Sequence, residues 1–154
     1  MAILNQQLKE QLKRRFSERL RDPVQLTLYT RPGSGRLILP GGLGCATCGD
    51  ARELADDLAA AAPEQVRLEV VDVSERTELE RPVPSLTLGA TNGEADQDGG
   101  RLGWQGLPAG YEFATVVDAI ERVSRSEHGL AEATLDALSE LTEPVDLMVF
   151  ATPT

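Results

Sequence analysis

Leu4, Leu8, Leu12, Phe16 and Leu20 recur at every fourth position, with Ile3 beside them, and this spacing predicts a helix with one apolar stripe that ends at Asp22-Pro23. Such a stripe needs a surface to pack on. From residue 24 the period changes to two, because Val24, Leu26 and Leu28 alternate with Gln25, Thr27 and Tyr29, as in a short strand. Residues 31–44 hold two Pro, five Gly and a Ser around Arg36-Leu37-Ile38-Leu39, which predicts a long loop with a short apolar middle. A helix is expected over 47–61, with Ala51, Leu54, Ala55, Leu58 and Ala59 on one side and Pro63 ending it. Residues 66–73 read as a strand, so strand, helix and strand form a right-handed parallel crossover.

After the charged stretch 74–81, residues 82–88 begin another strand, and 101–104 return antiparallel to it across the polar turn 92–100. Phe113, Val116, Val117, Ile120 and Val123 share a face of a further helix, and Leu130, Leu135, Leu138 and Leu141 mark another. Val145 to Phe150 alternate as a strand would, four residues before the sequence ends.

Composition narrows the function classes. The 154 residues fit one domain with room for extra elements, and 41% hydrophobic content supports an ordinary core. With only one Trp, two Tyr and three Phe, that core must be mostly Leu, Val, Ile and Ala. No apolar run reaches the ~18 residues of a membrane span, and Gln6, Gln7, Lys9 and Glu10 interrupt the N-terminus where a secretory signal would be continuous. No membrane partner is expected, and the cytoplasm is the expected compartment. The formal net charge of −10 divides unevenly: residues 1–21 carry six Lys/Arg and two Glu, a net of +4, leaving −14 for the rest. An acidic body argues against nucleic acid, whose binding depends on basic surface. The basic first helix is read as solvated on its outer face and balancing that body.

The candidate chemistry lies in Cys45-Ala46-Thr47-Cys48, which holds both cysteines of the chain. A disulfide across two residues adds little as a fold staple, since loop-closure stabilisation grows with the loop closed. Between a first strand and a helix N-terminus it suits reversible redox chemistry, because unpaired backbone N–H groups and the helix dipole favour a thiolate. Cys45 would be the nucleophile and Cys48, one helical turn inward, would resolve the mixed disulfide. An inert or structural pair, or half of a zinc site completed by a second chain, are the alternatives two cysteines leave open. Arg52 would support a thiolate, whereas Asp50 and Glu53 oppose it, so the expected thiol pKa depression is moderate. Glu69 and Asp72 alternate on the strand at 66–73 and are expected to point to water near the end of the sheet, so no general base is assigned. The glycines at 33–35 and 41–44 lack the spacing of a nucleotide loop.

A C-x-x-C between first strand and first helix, then a hairpin entered through Val83-Pro84-Ser85 and a helix, resembles the thioredoxin fold. Gly106-Leu107-Pro108-Ala109-Gly110-Tyr111-Glu112-Phe113 is similar to the G-L-P-A-G-x-E-F segment of the glutaredoxin-like protein disulfide oxidoreductases, and to the N-terminal domain of the alkyl hydroperoxide reductase flavoprotein. Both families place two thioredoxin units in tandem. The resemblance runs over essentially the whole chain, which looks like a first unit.

The resemblance implies an α/β, thioredoxin-like fold: a mixed central sheet with flanking helices, an extra N-terminal helix, and a C-terminal helix plus strand. It divides the chain into a packed helix at 1–22, the thioredoxin-like domain at 23–125, and a helix and strand at 126–154 leading toward a second unit. It implies thiol–disulfide exchange with protein disulfides through Cys45 and Cys48, with Pro84 as a cis-proline facing them and the backbone of Val83 pairing with an extended substrate. No bound cofactor is required and no metal is assigned. The electron donor would be a flavoprotein reductase, another thioredoxin or glutathione. The loop at 33–44 is longer than the turn these families use, and would present Cys45 less rigidly or fold over the thiols as a flap. The rival expectation is a redox-idle docking module working through the first helix and the strand at 145–150, which would also allow a homodimer.

Overall fold

The computed structural model of the chain describes residues 3–31, 45–75, 81–91 and 102–151. The flap expected at 33–44 and the turn at 92–100 lie outside them. Among the described residues the order is α1 (Gln6–Arg19), β1 (Val24–Thr30), α2 (Cys48–Ala61), β2 (Val66–Asp72), β3 (Ser85–Ala90), β4 (Leu102–Gln105), α3 (Tyr111–Arg125) and α4 (Glu132–Ser139). The strands form one mixed sheet in the order β2-β1-β3-β4. β1 runs parallel to β2, from Val24 opposite Val66 to Thr30 opposite Asp72, as the crossover requires. β3 is antiparallel to β1, with Tyr29 opposite Ser85, and β4 is antiparallel to β3, with Ser85 opposite Gln105.

Alternation along the strands sorts the side chains onto two faces. Val24, Leu26 and Leu28 of β1 and Leu86 and Leu88 of β3 join Leu12 and Phe16 of α1, Leu54 and Leu58 of α2, and Val116 and Ile120 of α3 in one cluster. The core is aliphatic apart from Phe16, as the aromatic count predicts. The other face differs from a simple polar-out reading. Thr27, Tyr29, Ser85 and Thr87 on it are all buried, and Tyr29 packs with Val71, Val73 and Val83 in a second, smaller cluster.

The first helix begins at Asn5, whose side chain accepts the Leu8 N–H at 2.8 Å, a regular N-cap. Leu4, Leu12, Phe16 and Leu20 of the expected apolar stripe meet the core, whereas Leu8 is exposed, and the cations of the helix serve as anchors. Lys9 reaches Asp57 of α2 at 2.7 Å. Arg15 donates to Glu121 and Asp118 of α3, and Arg19 reaches Glu121 at 3.4 Å. Glu121 is only 6% exposed, so a carboxylate removed from water is offset by two guanidinium groups. The Glu121 hydrogen bond is the main cause holding the Arg15 pKa above its ordinary value, opposed by partial burial and helped by Asp118. A raised base contributes stability that is present below the ordinary arginine pKa and lost only above it, so this anchor holds across the physiological range.

Beside the anchor, the fully buried Ser124 hydroxyl accepts the Arg21 N–H at 2.8 Å and donates to the Asp22 carbonyl at 2.7 Å, fixing the turn into β1. Arg15→Ala leaves a buried carboxylate with its more distant arginine alone and is expected to cost about 2 kcal/mol, whereas Glu121→Leu leaves only exposed cations and costs less. Urea unfolding of the two variants checks this, and equal losses would contradict it.

The strand expected at 145–150 is not formed, and residues 142–151 adopt no regular element. A strand exists through its ladder, and no described strand pairs with these residues. Leu147, Val149 and Phe150 are almost fully exposed, and no residue of α4 is buried. The large apolar side chains of α4 and of residues 145–150 are thus left largely exposed.

Candidate redox site

Three segments meet at one end of the sheet. α2 packs on both β1 and β2, so it must run back against β1, which puts its N-terminus at the β1 end that holds Thr30. β3 starts and β4 stops at that same end, by the pairing of Tyr29 with Ser85 and of Ser85 with Gln105. The cysteines therefore lie at the sheet end occupied by the Val83-Pro84 turn and the Gln105-Gly106 turn. This is the position where open α/β sheets place their sites.

Cys45 and Cys48 are joined by a disulfide with an S–S distance of 2.07 Å and a Cα–Cα distance of 5.5 Å. Neither sulfur is a free metal ligand in this form. α2 starts at Cys48, one residue later than predicted, with Thr47 as N-cap and no side-chain capping bond. The N–H groups of the first turn, which no intrahelical carbonyl can satisfy, thus receive no capping oxygen from Thr47. Cys45 precedes the helix. The two differ slightly in access, at 7% exposed for Cys45 and 2% for Cys48.

Arg52, expected to support a thiolate, is paired with another group. Its guanidinium is held by Asp56, one turn further along α2, at 2.9 Å. An i,i+4 carboxylate competes for it more effectively than a sulfur at the helix start. Glu69 is exposed, and Asp72 accepts from the Ser74 N–H at 2.8 Å, closing the turn after β2. Neither carboxylate is a buried acid. His128 accepts the Leu130 N–H at Nδ1 in the exposed link between α3 and α4.

The Val83-Pro84 peptide bond is cis, as the resemblance implies. The Pro84 carbonyl accepts the N–H of Gly106 at 2.8 Å, tying this turn to the exit of β4. Gly106 adopts φ of 95°, a conformation that favours glycine. Val83 packs beside Tyr29, Val71 and Val73, and its backbone groups make no hydrogen bond among the described residues. Arg81 covers the Tyr29 ring, 4.3 Å from its centroid.

Ser85 and Gln105 also belong to this end of the sheet, and motif reading missed them. The Ser85 hydroxyl is buried without a hydrogen-bond partner among the described residues. The only sequence signal was that Ser85 follows the Val83-Pro84 turn and Gln105 follows the returning strand expected at 101–104.

A β2-β1-β3-β4 mixed sheet, a C-x-x-C disulfide at the start of the crossover helix and a Val-Pro turn at the same sheet end define a thioredoxin-like protein. Among solved structures, the chain is similar to a protein disulfide oxidoreductase from Aeropyrum pernix, with a TM-score of 0.65 and 25% identity over 89% of this chain and 55% of that one. It is also similar to the alkylhydroperoxide reductase AhpF of Enterococcus faecalis, with a TM-score of 0.63 and 18% identity over 90% of this chain and 61% of that one. The separate N-terminal domain of the same E. faecalis protein gives a TM-score of 0.60 and 16% identity over 86% and 58% of the two chains. These are the two families the sequence resembles, and the chain spans 55% to 61% of the length of these structures. No family model and no curated protein matches the sequence.

Proposed function

We propose that the protein is a thiol–disulfide oxidoreductase that exchanges the Cys45–Cys48 couple with protein disulfides. The observation that carries this reading is the closed disulfide before α2, at the sheet end where the Val83 backbone is unpaired among the described residues. The likeness to the A. pernix protein disulfide oxidoreductase points the same way.

In the reducing direction the Cys45 thiolate attacks one sulfur of the substrate disulfide, and the other sulfur leaves as a thiolate. Cys48, deprotonated, then attacks the Cys45 sulfur and releases the second substrate thiol. The substrate gains two electrons and the protein is left as the disulfide seen here. A dithiol, glutathione or a flavoprotein reductase restores the dithiol. During exchange, Val83 pairs through its backbone with the extended substrate chain and holds the target sulfur beside Cys45. No bound cofactor enters this cycle. A cytoplasmic setting fits a couple that is reduced between turnovers. Among the described residues no helix is long and apolar enough to cross a membrane.

The exposed apolar residues of α4 and 145–150 favour a second role beside exchange, as the face that packs on a further thioredoxin-like unit.

Equilibration in graded dithiothreitol buffers, followed by thiol labelling, tests the redox reading. Ala46-Thr47 places neither proline nor a base between the cysteines, so a reversible two-electron transition is expected at roughly −200 to −270 mV. A disulfide that resists reduction far below that range would reassign the pair to structure.

A further inference from the structure

The floor beside the Val83-Pro84 turn contains chemistry that disulfide exchange does not use. Ser85, Thr87, Gly103 and Gln105 pair across β3 and β4 and project to the same face. They line a pocket of about 600 Å³, whose opposite wall is residues 147–151. Gly103 leaves the centre open: a Cβ there would meet nothing nearer than the Leu86 carbonyl at 3.6 Å. At the turn end sits Ser85, 3% exposed, its hydroxyl without a partner among the described residues. A buried hydroxyl left unsatisfied is unfavourable, and it is the kind of group that an arriving ligand satisfies. The Gln105 carboxamide stands opposite it in register, exposed and also without a partner among the described residues.

We propose that this pocket is a side-chain subsite for the substrate and takes a neutral carboxamide, Asn or Gln, flanking the target disulfide. The inference rests on the redox reading above and adds to it what the site selects. A hydroxyl and a carboxamide each donate and accept, and a second carboxamide is the side chain that answers both. A carboxylate only accepts, and it is opposed by the net charge of −10. An aliphatic side chain leaves Ser85 unsatisfied. Arg81, stacked on Tyr29, and Glu112 both line the pocket, so one charge of each sign leaves its lining with no net attraction for an anion.

The test uses disulfide-linked peptides identical except for Gln, Leu or Glu at the second position on either side of the reactive cysteine. With the unaltered protein, kcat/KM is expected to favour Gln over Leu and Glu by about tenfold at one of the two positions. Ser85→Ala and Gln105→Leu should each reduce that ratio to about twofold or less. Thermal unfolding of Ser85→Ala should not fall below that of the unaltered protein, since the removed hydroxyl leaves no partner behind. Equal rates for all peptides, or a preference that survives both substitutions, overturns the subsite alone. No turnover of any disulfide overturns the redox reading and the subsite with it.

Discussion

Replacing Cys45 by serine is expected to abolish the proposed disulfide turnover, with a loss of roughly three orders of magnitude or more in kcat/KM on a protein disulfide. The size follows from the chemistry, since a serine hydroxyl at neutral pH neither ionises appreciably nor forms an S–S bond, so no mixed disulfide exists from which to proceed. Cys48→Ser should fail differently. Cys45 still attacks, but nothing resolves the product, and the substrate remains covalently attached and visible on non-reducing gels. The asymmetry separates a working couple from an idle one, and it assigns the order of attack, to which the difference in exposure between the two sulfurs is only a guide. If Cys45→Ser reduces protein disulfides at the normal rate, the exchange reading is wrong, and the apolar C-terminal face becomes the place to look for function.

Phe16→Ala is expected to destabilise the fold by about 3–5 kcal/mol, a large share of the roughly 5–15 kcal/mol that holds a domain of this kind. Phe16 is the single aromatic among the buried residues of the main core cluster, against which Trp104 and Phe113 also pack, and it is almost completely buried there. It comes from α1, a helix added in front of the sheet, yet its ring joins a core shared with β1, β3, α2 and α3. Truncation leaves a cavity among rigid aliphatic neighbours and loosens the seat of the Arg15–Glu121 anchor at the same time. Denaturant titration reads the loss directly. A change below about 1 kcal/mol would mean that α1 is a detachable appendage rather than a part of the domain.

How much could be read in advance depended on whether a residue's partners were local. The four-residue spacing of α1, the alternation of β1 and the apolar face of α3 report local geometry, and each element forms within a few residues of its expected bounds. The crossover and hairpin followed from element order and handedness. The place of the Cys45–Cys48 disulfide was legible because a C-x-x-C at a helix start is a compact pattern. Its surroundings were not. Arg52 looks like a thiolate partner until the helix places Asp56 one turn away. Thr27 and Thr87 look like solvent positions in an alternating strand, but they are buried together across the β1–β3 register. Ser85 became visible only once its hydroxyl had no partner among the described residues. Residues 145–150 alternate as convincingly as β1, but alternation specifies a strand only when a neighbouring strand completes its hydrogen bonds.

Trp104 is the only tryptophan in the chain and pairs with Leu86 across the β3–β4 register, on the sheet face opposite Ser85 and Gln105, with its indole N–H directed to the Thr115 hydroxyl at 3.4 Å. Its ring is half-buried, on β4, within the hairpin that Gly106 ties to the Pro84 carbonyl. The protein therefore carries a built-in optical reporter. Emission excited at the indole band arises from one known place on the core face of the hairpin, with no second tryptophan to dilute it, so the packing of β4 against α3 can be followed by fluorescence without attaching a label.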